Sequence, residues 1–187
     1  MPRISFPSLA FAASALALLT AAACGGGQTA YYSNNVDTVT LFALRGTSIR
    51  TPSAYSMLDL LGIRTDTTSA FDFAFDIDST GTPLIYPAGV LGLDKTTGIL
   101  LTQSAFDDVH SAPTSGYVTD SAVAVGQGDV FVFRSRPTSS SCIYYSLSRY
   151  GKFEVLAIDS AQRSITLQGL VDLNCGFRGL DQGIPGS

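Results

Sequence analysis

The sequence predicts an all-β fold, an antiparallel sandwich or open barrel with one short helix. Three observations predict it. Residues Ala70 to Asp78 alternate apolar and polar side chains with a period of two, as in a strand with one buried face. Short runs of β-branched and aromatic residues recur between clusters of Gly, Pro, Ser, Thr and Asp, with no βα alternation. Glu154 is the only glutamate among 15 acidic residues. Aspartate favours turns and caps over helix interiors, so the acids themselves lean away from helix.

Gln28 to Asn35 is polar and reads as a linker or first coil. Val36 to Arg45 is rich in β-branched and apolar residues and predicts a strand. Ser53 stands where an N-cap would, and Gly62 where a helix would stop, so Ala54 to Leu61 is the one predicted helix. In Ala70 to Asp78, Phe71, Phe73, Phe75 and Ile77 fall on one face and Asp72, Ala74, Asp76 and Asp78 on the other. Ser79 to Pro83 is turn chemistry, and Leu84 to Tyr86 starts the next extended piece. Further strands are expected over Gly98 to Gln103, Ala122 to Val125, Val130 to Arg134 and Ile143 to Leu147. Gly126 to Asp129 reads as a hairpin turn between two of them. Phe153 to Ile158 and Ser164 to Val171, joined by Asp159 to Gln162, predict a terminal hairpin. Its Ile165, Leu167 and Val171 face the core, with Ser164, Thr166 and Gln168 opposed. Gly176 to Ser187 reads as loop.

Little catalytic chemistry is legible. His110 is the only histidine. It follows Asp107 and Asp108, but the chain has no Gly-Xaa-Ser-Xaa-Gly elbow to expose a nucleophilic serine. Asp76 to Gly81 has the look of a calcium loop. The twelfth loop position, where a bidentate Glu would close the oxygen cage, is Pro87, so an outward strand end and a turn is the reading adopted. Gly92 to Thr97 lacks the Gly before Lys95 that a phosphate loop needs, and Gly126 and Gly128 lack the third glycine of a dinucleotide fingerprint. Tyr31, Tyr32, Tyr144, Tyr145 and Tyr150 can line a ligand surface, but with no Trp and no basic patch among them they read as packing residues. No catalytic residue and no metal ligand is assigned, and no cofactor is expected from the residues. His110 is the one candidate for ligand binding.

The N-terminus carries an address. Arg3 is followed by Ile4 to Ala23, which holds no charge and ends in small residues, the grammar of a secretory signal peptide. The segment Leu19-Thr20-Ala21-Ala22-Ala23-Cys24-Gly25-Gly26-Gly27 resembles the bacterial lipobox, with Ala21 where Leu is usual. The resemblance implies thioether lipidation of Cys24, with acyl chains such as palmitate, and cleavage before it. The chain then divides into a signal peptide (1–23), a lipidated Cys and flexible tether (24–35) and a β-rich domain (36–187). The expected partner is a membrane, reached through the lipid anchor, and the expected location is the cell envelope. Gly25 points to the outer membrane, since Asp at that position is the usual inner-membrane retention signal in such lipoproteins.

Cleavage removes Arg3 and no acid, so the mature domain is more acidic than the precursor's net charge of −4. Such a charge excludes nucleic acid as a partner held by electrostatics. With Cys24 lipidated, Cys142 and Cys175 remain, and in an oxidising compartment an even pair reads as one disulfide. It would close a loop of about thirty residues, worth ~3–4 kcal/mol in the chain-entropy treatment.

Three segments resemble, in order, the HmuY-like family of haem-binding outer-membrane lipoproteins. Phe71-Asp72-Phe73-Ala74-Phe75 is similar to that family's Trp-Asp-Ile-Ala-Phe strand. Phe106-Asp107-Asp108-Val109 with Ala112-Pro113 is similar to its Phe-Asp-acid-Val turn and following Ala-Pro. Gly151-Lys152-Phe153-Glu154-Val155 is similar to its Gly-Lys-Tyr-Ala-Lys region. The resemblance implies a mostly β fold, a lipid anchor and a ligand cleft. It does not carry over the haem site: the family's haem binders use two His, and this chain offers His110 with, at most, Met57 as a mixed axial partner. The expected function is an envelope-anchored, non-enzymatic lipoprotein that binds a small ligand or partner or acts structurally. A secreted hydrolase using His110 and a haem-binding lipoprotein are the alternatives.

Overall fold

A computed structural model describes residues 29–137 and 147–185. Ten strands are described: β1 (Val36–Phe42), β2 (Ala54–Ser56), β3 (Leu61–Ile63), β4 (Phe73–Ile77), β5 (Pro83–Pro87), β6 (Gly98–Thr102), β7 (Val123–Ala124), β8 (Val130–Arg134), β9 (Tyr150–Asp159) and β10 (Ser164–Asp172). They form two five-stranded sheets, ordered β1-β10-β9-β8-β6 and β3-β2-β4-β5-β7. Every pairing is antiparallel. The first strand pairs with the last, Val36 opposite Leu170 through Phe42 opposite Ser164.

The sheets pack face to face over one apolar core. Tyr55, Phe73, Phe75, Ile77 and Ile85 come from the second sheet, and Leu41, Ile99, Phe131, Phe133, Phe153, Val155, Ile165 and Leu167 from the first. Phe73 is the hub. Its ring centroid lies 4.9 Å from Phe133, 5.3 Å from Phe153, 5.4 Å from Tyr55 and 6.2 Å from Phe131. Each fully buried phenylalanine contributes roughly 1.5–3 kcal/mol of burial, and edge-to-face pairs add to that. Gly169 makes the packing possible: a Cβ there would stand 2.6 Å from two carbons of the Phe153 ring.

The first sheet is covered on its outer face as well. Val130, Val132 and Leu170 meet Phe106, Val109 and Ala112 from the segment after β6, and Leu180 from the C-terminal tail. Lys152 is buried in this layer, its ammonium donating to the carbonyl oxygens of Phe106 (2.8 Å) and Val109 (3.1 Å). The tail, expected as loop, is stitched down. Ser111 bridges Gly179, Asn34 bridges Gly183, and Phe177 and Leu180 are buried. The N-terminal segment is held by the same tail, with the Tyr31 and Tyr32 amides donating to Asn174 Oδ1 at 2.7 and 2.8 Å. Tyr31 and Tyr32, within the expected tether of residues 24–35, are therefore held against the domain.

Four expectations are corrected. No helix spans Ala54 to Leu61: β2 and β3 form a hairpin there, Ser56 opposite Leu61, with Leu60 at φ 55° in the turn. Pairing of Ala54 with Ala74 and of Tyr55 with Phe73 outweighs the local helix signal. Phe71 leaves the stripe of Phe73, Phe75 and Ile77, because the strand begins only at Phe73; it packs outside with Ala54, Ala74 and Ala88. Asp72 and Asp76 do not face solvent but are 1% exposed. Finally, Gly126 to Asp129 links β7 and β8, which belong to different sheets, so it is a crossover turn and not a hairpin. The two described helical pieces are 3-10 turns, Ala88–Leu91 and Phe106–Asp108. The strand expected over Ile143 to Leu147 falls almost wholly outside the described residues.

Candidate functional site

The strand ends decide where a site forms. In the first sheet Gly98, Arg134 and Tyr150 stand opposite one another in register across β6, β8 and β9. Even positions of β8 and β9 (Val130, Val132, Arg134; Tyr150, Lys152) belong to the outer face, as the membership of the outer apolar layer shows. That layer stops at Tyr117 and Tyr150. Beyond it an open groove of about 610 Å³ is lined by Lys95, Thr96, Thr119, Arg134, Tyr150 and Arg178, among others. A volume of this size suits a small ligand.

Its side chains form an ordered series. The Arg134 guanidinium lies 5.0 Å from the Tyr117 ring centroid, Tyr117 and Tyr150 are 6.2 Å apart, and the Arg178 guanidinium lies 5.9 Å from the Tyr150 ring. Each cation thus sits on an aromatic face, which orients a guanidinium while leaving its edges free. Arg134 Nε donates to Thr96 O at 2.9 Å. Arg178 donates from Nη2 to Ala112 O, while its buried Nε has no hydrogen-bond partner. Burial, with Tyr150 beside it, pushes the Tyr117 phenol up to about 12, so it stays neutral and donates to Pro113 O at 2.9 Å.

Charge sets this groove apart. Among the described residues three cations line it and no acid does, in a chain of net charge −4. Among the described residues, Lys95, Arg134 and Arg178 form no ion pair, whereas Arg45 and Arg163 converge on Asp76, Arg64 on Asp66 and Arg136 on Asp72. Behind the groove Arg149 is buried, and desolvation lowers its pKa against the pull of Asp72. Asp72 accepts from the amides of Met57 (2.7 Å) and Arg136 (2.9 Å), yet burial still raises its pKa.

His110 lies elsewhere on the outer layer. Its Nδ1 is 2.7 Å from Asp181 Oδ1, and the two side chains are 68% and 63% exposed. Its own carbonyl accepts from the Leu180 amide at 2.8 Å. The neighbouring hollow of about 350 Å³ includes Ser104 and Ser111. Asp107 and Asp108, its sequence neighbours, are exposed. Met57 is fully buried in the inter-sheet core, so it and His110 do not converge, and these two residues do not fit an axial pair for haem.

The calcium-like segment resolves into two unrelated roles. Asp78 Oδ1 accepts from Thr80 N, Thr80 Oγ1 and Thr82 N and so caps the turn, while Asp76 clamps Arg45. No group of three or more His, Cys, Asp or Glu suited to a metal is found among the described residues. Among those residues no helix is long and apolar enough to cross a membrane. Cys24 and Cys142 lie outside the described residues, as do Tyr144 and Tyr145. Cys175 sits half-buried in the turn that follows β10.

Sequence reasoning missed the groove. Lys95 and Thr96 entered it only as part of a failed phosphate loop, and Arg134 only as a strand end. Arg178 lies in a segment read as loop. No periodicity links them, since the sheet register and the docked tail bring them together.

The fold and groove define the molecule as a two-sheet antiparallel β-sandwich with a basic cleft. Comparison with protein-family models, with curated proteins and with solved structures returned no match.

Proposed function

We propose that this chain is a bacterial envelope lipoprotein, lipidated at Cys24, carried to the outer membrane, and working by binding a small ligand or partner rather than by catalysis. The observation that carries the anchor is the uncharged stretch Ile4 to Ala23 ending at Ala21-Ala22-Ala23-Cys24. Among the described residues Tyr31 and Tyr32 hydrogen-bond to Asn174 in the body of the domain, so at most the six residues Gly25 to Ala30 separate Cys24 from the fold. That length, at roughly 3.3–3.6 Å per extended residue, supports a domain held close to a membrane surface. The binding half of the reading is supported by the groove bounded by Arg134, Tyr150 and Arg178. Replacement Cys24→Ser tests the anchor. The variant should leave the membrane fraction or accumulate as precursor, and unchanged partitioning with unchanged size would overturn it. Sucrose-gradient fractionation of the parent protein decides between outer and inner membrane.

A hydrolase using His110 is the second reading, favoured by the 2.7 Å contact between His110 and Asp181. It ranks below binding because both side chains are more than half exposed, so the pair is screened. Hydrolysis of p-nitrophenyl acetate that disappears in His110→Ala would promote it. Haem binding of the HmuY-like type rests on the sequence resemblance alone, and a Soret titration tests it.

A further inference from the structure

We infer that the groove between Arg134 and Arg178 is a binding site for a small ring-bearing anion, held by its carboxylate or phosphate. The inference rests on the binding half of the function proposed above and is independent of the lipid anchor.

Three features carry it. First, Lys95, Arg134 and Arg178 line one concavity with no acid among the lining residues, although acids outnumber Lys and Arg by 15 to 11 in the chain. Like charges brought together repel, and elsewhere among the described residues Arg45 and Arg163 are answered by Asp76, Arg64 by Asp66 and Arg136 by Asp72. Here the answering charge is left for a ligand. Second, the guanidinium groups are pre-oriented. Arg134 is fixed by Thr96 O and the Tyr117 face, and Arg178 by Ala112 O and the Tyr150 face. A fixed, planar fork matches the paired oxygens of a carboxylate or phosphate and loses little entropy on binding. Third, Tyr150 lines the same groove. Its ring supplies an apolar surface for the flat side of a sugar or aromatic ring beside the anion clamp. Inorganic phosphate lacks that ring and uses only the clamp.

The full chain in detergent micelles, titrated by calorimetry, tests this with matched probes. Glucuronate is paired with glucose, and phenyl phosphate with phenol; inorganic phosphate completes the set. At least one anionic probe should bind, its neutral counterpart at least tenfold more weakly, with affinity falling as salt rises. Arg134→Gln and Arg178→Gln should each weaken that probe by tenfold or more. Arg178→Lys should lose less, because it keeps the charge and gives up only the fork. Tyr150→Leu removes both the ring surface and the face that holds Arg178, so it should weaken the ring-bearing probe by a larger factor than inorganic phosphate. If glucuronate binds and phenyl phosphate does not, the anion is a carboxylate, and the reverse result assigns a phosphate. Arg178 also holds the tail, so melting temperatures are compared. Should Arg178→Gln fail to fold, Arg134→Gln alone decides. Equal binding of charged and neutral probes, wild-type affinity in the Arg134→Gln variant, or binding of none of the probes at millimolar concentration would overturn the site. None of these results alters the fractionation of Cys24→Ser. His110-dependent hydrolysis would overturn the binding reading itself, so the two failures are distinguishable.

Discussion

The Lys152 ammonium is buried beneath the Phe106 turn, donating to Phe106 O at 2.8 Å while standing 4.5 Å from the centre of the Phe106 ring. One side chain on the outer face of β9 thus fastens a turn that follows β6, and its second bond, at 3.1 Å, satisfies the Val109 carbonyl within the apolar layer.

Replacement Lys152→Met should keep the packing volume, leave the Val109 carbonyl without its donor and leave the Phe106 carbonyl only the 3.4 Å bond from the Val109 amide. The expected cost is about 1–3 kcal/mol, read by urea unfolding, with faster amide exchange over residues 106–110. Burial lowers the Lys152 pKa. Between that lowered value and the ordinary lysine value the unfolded chain binds a proton that the folded chain has released. Stability should therefore rise with pH through that window in the parent and lack this rise in Lys152→Met. An identical pH profile in both proteins would refute the assignment.

Asp76 is the clamp at the opposite side of the sandwich. Its Oδ2 accepts from Arg45 Nε at 2.6 Å, and its Oδ1 from the amides of Arg45 and Ile77 at 3.2 and 2.9 Å. Because both oxygens face N–H donors, an asparagine would have to turn its NH₂ toward one of them. Asp76→Asn is therefore expected to destabilise about as much as Asp76→Ala, by roughly 1–3 kcal/mol. A neutral effect of Asp76→Asn in urea unfolding would show that hydrogen-bond polarity is not what holds this corner.

Gly169→Ala should destabilise by about 1–3 kcal/mol through overpacking, since the new methyl meets the Phe153 ring. The partner test is Phe153→Leu, which removes the ring and should make Gly169→Ala markedly less costly in that background. Simple additivity of the two changes would mean that contact between them is not the cause.

The cysteine pair gives a redox prediction. Intact mass of the oxidised protein should show the loss of two hydrogens for a Cys142–Cys175 bridge. Cys175→Ser should cost ~2–5 kcal/mol. Cys175 adjoins Asn174, whose side chain holds the Tyr31 and Tyr32 amides, so the variant should also speed exchange at those amides. Two titratable thiols in the folded, air-exposed protein would refute the bridge.

Much of the sheet structure was legible because strand signals are local. Alternation in Phe73 to Ile77, the β-branched run of β1, the turn residues Ser79 to Gly81 and the terminal hairpin each express a preference of a few neighbouring residues. The same locality misled at Ala54 to Leu61, where cap and stop signals suited a helix and pairing with β4 won. The fate of the aspartates was not legible. A polar position in an alternating strand reads as exposed, and only the arrival of Arg45, Arg163 and Arg136 makes Asp72 and Asp76 interior residues.

The sequence by itself determined the all-β class, most strand positions and the features from which an exported, lipidated chain is proposed, since hydrophobic period and signal grammar are written in consecutive residues. Only the tertiary structure decided the division into two sheets, the docking of the tail and the basic groove. These depend on which strands become neighbours. Lys95, Arg134, Tyr150 and Arg178 are far apart along the chain, and nothing local to any of them says that it will line one groove at the end of one sheet with the others.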